Sequence, residues 1–371
     1  MINKVEKLIV KYNGRTVGYL AETNNSEIAF QYDAAWLADG FSISPFSLPL
    51  ATKIYINRKD TFNGLYGVFQ DSLPDGWGAL LQHRMLGKQG VNPDRLSPLT
   101  KLSLLSKNGL GALTYEPTQF DDSEISKITL DKMAADAARL YENRTSDVNL
   151  DTMYKLGGSS GGARPKVHIK DKDGFWIVKF PCQIDLPNIG EKEFAANELA
   201  ERCGININEH KLFPSDICSG YFGAKRFDRT ENNRVHMISL SSLLETSHRI
   251  PNLDYMHLFQ VIQNICIDKS DMMEAYKRMC FNVLYGNRDD HGRNFAFLYH
   301  EKLHGYRLSP AFDMTKTNDK PEHEMSVNGQ GKPTKNDLLD VARNMKLPLA
   351  ECIEIIEKTK AIIEMNLGTS I

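Results

Sequence analysis

The sequence predicts an α+β protein in two lobes, a mixed α/β half followed by a mainly helical half. Three observations carry this reading. An Asn-Gly turn joins two alternating segments near the start, a glycine-rich run feeds a second hairpin mid-chain, and helical periodicity dominates from about residue 251. At 371 residues the chain exceeds one small core. With 41% hydrophobic and 25% charged residues it falls in the ordinary globular class.

The elements follow in order. LIVKY, Asn13-Gly14 and RTVGYLAE read as a hairpin, because Asn-Gly suits a two-residue turn with both residues at positive φ. In DSLPDGWGALLQHRML, Pro74 and Asp75 precede an apolar-periodic run, which predicts a helix with Asp75 as its cap. RLSPLTKLSLLSKNGLGALTYEP predicts a second helix closed by Asn108-Gly109, then a short strand. The polar stretch 117–123 marks a boundary. LDKMAADAARLYEN is helical, and VHIK and FWIVKF flank Asp173-Gly174 as a hairpin after the loop LGGSSGGARP. A helix at EKEFAANELAERCG ends at Gly204, and YFGAKRFDRT is strand-like. Four periodic segments then follow, at DYMHLFQVIQNIC, MMEAYKRMCFNVLY, NDLLDVARNM and LAECIEIIEKTKAIIEMNL.

Composition excludes several classes. No apolar run approaches the roughly 18 residues of a spanning helix, so no membrane partner is expected. The N-terminus MINKVEKLIVKYNG mixes charge into its alternation, unlike a signal peptide, and a mature cytoplasmic protein is expected. Six cysteines without a CxxC pair suit free thiols. The formal charge of −2 is spread along the chain without a basic arm, so direct DNA binding is not expected.

Phosphoryl transfer needs phosphates cradled, a cation on them, Mg²⁺ held by oxygen ligands, and a base for the attacking hydroxyl. Each part has a candidate. The loop with Gly161, Gly162 and Ala163 offers backbone N–H groups to phosphate. Lys179 on the second hairpin strand is the phosphate lysine, and Glu193 on the next helix is its partner, with Glu198 as fallback. Asp289 is the base, Asn294 a metal ligand, and Asp313 in RLSPAFDMT a second. The order of glycine loop, Lys, Glu, D-x-H-x-x-N and Asp is that of the protein-kinase-like superfold. The D-x-H-x-x-N form is nearer to phosphatidylinositol kinases than to the H-R-D loop.

At these residues the chain resembles the HipA-type serine/threonine kinases, toxin components of bacterial HipA/HipB toxin-antitoxin modules. GGARPK (161–166), WIVKF (176–180), KEFAANELAERCGI (192–205), KRFDRT (225–230), NRDDHGRNFAF (287–297) and LSPAFDM (308–314) stand in family order. VGYL, FSISPFSLPL and GLYGVFQDSLPDGWG resemble the family's accessory N-terminal subdomain. The resemblance implies a subdomain over 1–120, a kinase N-lobe with glycine loop and hinge over 121–245, and a helical C-lobe over 246–371. It implies ATP and Mg²⁺ as cofactors, a hinge at Lys225 to Phe227, His291 in the ATP-binding loop, and autophosphorylation at Ser159 or its neighbour Ser160. It also implies a small helix-turn-helix antitoxin of HipB type as partner, contact with DNA only through that antitoxin, and translation components such as aminoacyl-tRNA synthetases as substrates.

Plainer readings stand beside these. An Asp-rich turn after a helix is commonly just solvated, a strand lysine just exposed, and RFDR a structural salt bridge. His291 suits a role in holding the loop by hydrogen bonds. Asp290 has no role legible in the sequence. His300 to His304 satisfies H-E-x-x-H, but Phe295, Phe297, Tyr299, Tyr306 and Leu308 alternate around it as in strands, which argues against a zinc helix. A catalytically silent module holding an antitoxin at DNA, and a small-molecule or lipid kinase, are the alternative functions.

Overall fold

Asn13 and Gly14, at φ 47° and 82°, turn the chain from β1 (Lys7–Tyr12) into β2 (Arg15–Glu22), as the Asn-Gly signal requires. The computed structural model describes residues 2–107, 109–121, 123, 128–142, 148–182, 185–317 and 319–368, of which 367 and 368 by backbone only. With β3 (Ile28–Tyr32), β4 (Tyr55–Asn57) and β5 (Leu113–Glu116) the hairpin forms an antiparallel sheet in the order β4-β3-β2-β1-β5. Its alternation buries Leu8, Val10, Leu20, Phe30 and Tyr32 on one side. Around it lie the helices α1 (Ala34–Asp39), α2 (Gly67–Gln70), α3 (Gly76–Lys88) and α4 (Pro98–Ser103).

Two expectations for this region change. α4 stops at Ser103, short of the predicted closure, whose Asn108 lies outside the described residues. The Ser103 carbonyl, which a longer helix would pair internally, accepts instead from the Gln119 N–H at 2.7 Å. Asp75 does precede α3, but its side chain makes no cap bond. It reaches the Gly162 N–H instead.

β6 (Lys166–Asp171) and β7 (Gly174–Lys179) form the expected second hairpin, and the sheet continues through β9 (Tyr221–Lys225) to β8 (His210–Phe213). α5 (Leu130–Tyr141) and α6 (Leu150–Gly157) contribute Met133, Ala137, Leu140 and Met153 to a core shared with Val167, Trp176, Val178 and Phe180 of the hairpin, and with Trp77 and Leu81 of α3. Every one of these is at most 6% exposed, so the hairpin rests on a dry support.

The chain forms two units. The first comprises Met1–Glu191, Lys211–Ile238 and Ser242–Thr246, and the second Lys192–His210, Ser239–Ser241 and Ser247–Ile371. The chain passes between them within α7 (Ile189–Arg202), β8, β10 (Met237–Ser239) and α8 (Leu240–Leu243), and once more after Thr246. The second unit carries α9 (Tyr255–Ile265), α10 (Ser270–Tyr285), the hairpin β11 (Ala296–His300) and β12 (Gly305–Leu308), α11 (Lys335–Asn344) and α12 (Leu349–Gly368). Asp254 and His257 close a capping box on α9, and Gly286 ends α10 at φ 82°. Phe281 of α10 packs with Leu199, Ala200, Ala311, Met314 and Ile363, which fixes the chain on both sides of the 286–298 stretch.

His300 ends β11 and His304, at φ 50°, follows the single turn Glu301–Leu303. The two imidazoles therefore sit across a hairpin turn rather than on a helical face. All six cysteines are free, with Cys203, Cys280 and Cys352 buried. Among the described residues no helix is long and apolar enough to cross a membrane.

Candidate functional site

In the first unit the glycine-rich loop is held by segments far away in sequence. The Gly162 N–H donates to the Asp75 carboxylate, and the Trp77 N–H donates to the Gly162 carbonyl at 2.9 Å. Trp77 Nε1 donates to the Lys166 carbonyl at 3.0 Å, and Tyr141 donates to the Ala163 carbonyl at 3.2 Å. Contact is close enough to require glycine on the opposing side. A Cβ on Gly76 would stand 2.3 Å from the Gly162 oxygen, and one on Gly78 2.3 Å from the Ser160 oxygen.

Both candidate serines are buried in this loop. Ser159 is 7% exposed and its Oγ accepts from the Ser106 N–H at 3.2 Å. Ser160 is 1% exposed and its hydroxyl donates to the Gly157 carbonyl at 2.5 Å. Gly161 is engaged as well, by Lys166, whose ammonium donates to the Gly161 carbonyl at 2.6 Å.

Lys166 stands directly opposite Lys179 across the β6–β7 ladder. The register puts the two lysines side by side on neighbouring strands, and of the two Lys166 reaches the loop. Lys166 ends the GGARPK segment, and no local signal in the sequence marks it as a site residue. The half-buried Lys179 has its Nζ 5.6 Å from the centre of the Phe222 ring.

Lys225 ends β9, paired with Trp176, and Phe227 is half-buried just beyond. Between and after them stands a buried ion cluster rather than a strand. Arg226 grips Asp228 through Nε at 2.8 Å and Nη2 at 2.7 Å, and Arg229 adds a contact at 2.9 Å. The same Asp228 accepts from the Gly111 N–H at 2.7 Å, and Arg226 donates to the Gly109 carbonyl at 2.8 Å. Burial disfavours the Asp228 charge, yet the two guanidiniums outweigh it and hold the carboxyl below its usual range. The RFDR stretch thus ties the 109–111 turn to the end of β9.

In the second unit, 286–298 forms a loop with defined orientation. His291 Nδ1 accepts from the Arg293 N–H at 3.2 Å and caps the turn Gly292–Asn294. Its ring lies 5.3 Å from that of His248. Asn294 Nδ2 donates to the Asp289 carbonyl at 2.7 Å, which turns the amide oxygen away from that carbonyl. Asp313 adopts φ 54°, and its carbonyl accepts from Asn287 Nδ2 at 3.3 Å, so the loop and the LSPAFDM segment are joined directly. Asn294 Oδ1 and the Asp313 carboxylate are hard oxygen donors of the type Mg²⁺ takes, so this donor set fits that ion.

Asp290 is 1% exposed and fully engaged. Its Oδ2 accepts from the Tyr255 hydroxyl at 2.8 Å and lies 2.8 Å from His323 Nδ1, while Oδ1 accepts from the Glu324 N–H at 3.0 Å. These bonds bring the segment after Asp313 back onto the loop and set the Lys320 ammonium on the Asp289 carboxylate. Neither Asp290's role nor Lys320 was visible in the sequence, because the two segments lie more than thirty positions apart.

Glu193 lies on α7 in the second unit, 5% exposed, with its carbonyl accepting from Asn197 Nδ2 at 2.8 Å. Glu198, the fallback, pairs instead with His210 Nε2 at 2.9 Å. The first unit therefore gathers Ser159, Ser160, Gly161, Gly162, Ala163, Lys179, Lys225 and Phe227, and the second Glu193, Asp289, His291, Asn294 and Asp313.

A family model described as the HipA N-terminal domain matches residues 8–116, and one described as the HipA-like C-terminal domain matches 158–367. Two Sinorhizobium fredii proteins, named "Putative kinase Y4dM" and "Putative kinase Y4mE", are 26% and 24% identical to the chain. The matches cover 85% and 84% of this chain and 78% of each relative. Among solved structures, the HipA of Shewanella oneidensis, in complex with HipB and operator DNA, superposes with a TM-score of 0.71 at 18% identity. That match covers 97% of this chain and 91% of the other, and shows the shared α+β fold. Since the C-terminal domain model alone takes in more than half of the sequence, the chain belongs to the HipA family.

Proposed function

We propose that the chain is an ATP- and Mg²⁺-dependent serine/threonine protein kinase of the HipA toxin type, working in the cytoplasm. Residues 1–120 serve as the accessory subdomain, 121–245 as the nucleotide lobe and 246–371 as the catalytic lobe. The observation that carries this reading is the Asp289 loop, where one hydrogen bond turns the Asn294 amide oxygen away from the Asp289 carbonyl and Asn287 ties in Asp313. Support also comes from the names of the Sinorhizobium relatives.

The chemistry follows from these groups. Gly161, Gly162 and Ala163 with Lys179 hold the phosphates, Glu193 supports Lys179, and Lys225 to Phe227 meet the adenine. His291 keeps the loop in shape through its capping bond. The substrate hydroxyl oxygen forms a bond to the γ-phosphorus as the bond to the β-bridging oxygen breaks. ADP leaves with that electron pair, and the hydroxyl proton passes to the Asp289 carboxylate. Mg²⁺, held by Asn294 and Asp313, would neutralise charge on the phosphates.

Autophosphorylation falls on Ser159 in this proposal. Its hydroxyl accepts a hydrogen bond where that of Ser160 donates one at 2.5 Å. Because both are buried, the loop must leave its seat first. The partner is a helix-turn-helix antitoxin, with DNA reached through it, and the complex of the Shewanella HipA with HipB and operator DNA supports this. A translation component such as an aminoacyl-tRNA synthetase is the substrate.

Incubation with γ-labelled ATP and Mg²⁺, beside Asp289→Asn and Ser159→Ala variants, tests the reading. Label on Ser159 in the wild type and none in either variant is expected. ATP binding without label in the wild type would instead mean a silent module.

A further inference from the structure

We propose that Lys320 is a positioning residue for the reaction, holding Asp289 so that one carboxylate oxygen faces the substrate hydroxyl. This rests on the reading of Asp289 as base. The Lys320 ammonium donates to Asp289 Oδ1 and, at 2.8 Å, to Glu324 Oε1. With Oδ1 engaged, Oδ2 is the oxygen left to take the hydroxyl proton. Lys320 keeps its own proton throughout.

The pair adds little to stability. The Lys320 and Asp289 side chains are 29% and 46% exposed, and ion pairs so open to water contribute little to folding. Yet the backbone carrying the lysine is fastened with far more than a surface turn needs. The Lys320 carbonyl accepts from Arg288 Nη1 at 2.7 Å, and the Glu324 N–H meets the Arg288 carbonyl at 3.2 Å. Below them Asp290 gathers Tyr255, His323 and the Glu324 N–H, and Asn282 Nδ2 in turn donates to the Tyr255 hydroxyl at 2.9 Å. A buried, multiply bonded carboxylate thus fixes a segment whose lysine ends on the neighbouring, half-open carboxylate. That is the pattern of a support for a reacting group: a rigid anchor beneath and a single directed contact above.

The test uses the full chain and single-turnover incorporation of label from ATP, read as a function of ATP concentration. Lys320→Met is expected to lower the maximal rate about 10- to 100-fold while half-saturating ATP moves by less than about threefold. Lys320→Arg, which keeps a charged donor, should recover the rate to within about fivefold of wild type. Thermal melting of each variant checks the fold. A wild-type rate in Lys320→Met, or an arginine variant as slow as the methionine one, overturns the proposal. Asp289→Asn separates the two ideas: if it is inactive while Lys320→Met is fully active, only the lysine's role falls. If Asp289→Asn itself runs at the wild-type rate, the base assignment falls and takes the proposal with it.

Discussion

Acid should destabilise the first unit through one imidazole, His236, and the size of the effect can be worked out. His236 is 1% exposed, with Nε2 2.9 Å from the Ile43 carbonyl and its ring 5.4 Å from that of Phe41. Burial disfavours the imidazolium and, against the opposing pull of the Ile43 carbonyl, holds the group down at about 4 from an ordinary 6.5. Between those values the unfolded chain binds a proton that the folded one refuses, so stability rises with pH there. The contribution is intact above pH 6.5 and drains away as pH falls toward 4, reaching about 3 kcal/mol, or about 2 kcal/mol by pH 5. Urea unfolding of wild type and His236→Gln at pH 7.5 and 5 measures it, since glutamine can donate to the same carbonyl but does not titrate. The wild type should lose about 2 kcal/mol more than the variant between the two pH values. Equal losses in both proteins would refute the reasoning.

Other outcomes are expected elsewhere. Asp228→Ala strands Arg226 and Arg229 in a buried site and should cost about 3–5 kcal/mol in chemical denaturation. Asp75→Asn replaces a charged acceptor at the Gly162 N–H, and amide exchange in the 158–163 segment should quicken roughly fivefold, in line with a loss of about 1 kcal/mol. Asn294→Ala should raise the Mg²⁺ concentration for half-maximal labelling roughly tenfold or more, read by titrating the metal at fixed ATP.

What the sequence could announce was local. The Asn13-Gly14 turn, the hairpin around Asp173-Gly174 and the helices from Tyr255 onward each carry their signal within a dozen residues, and each forms as expected. The hold of His291 on its loop was equally legible, because its capping bond to the Arg293 N–H spans two residues. Hidden were the contacts across large separations. Asp75 looked like a helix cap because only the fold brings Gly162 within its reach. The same holds for Lys320 on Asp289 and for the Asp290 network, which no period or motif encodes.

The seating of the glycine loop on Gly76, Trp77 and Gly78 bears on how such chains can be cut and recombined. The two family models divide the sequence between residues 116 and 158, which invites treating the halves as exchangeable modules. Yet the backbone that cradles Ser160 and Gly162 is supplied from the first of them, at clearances that admit no side chain. A chimera joined anywhere in that interval inherits a loop without its own mould. Recombination there succeeds only if the donor brings a glycine pair that fits its new neighbour, so the two halves must change in step.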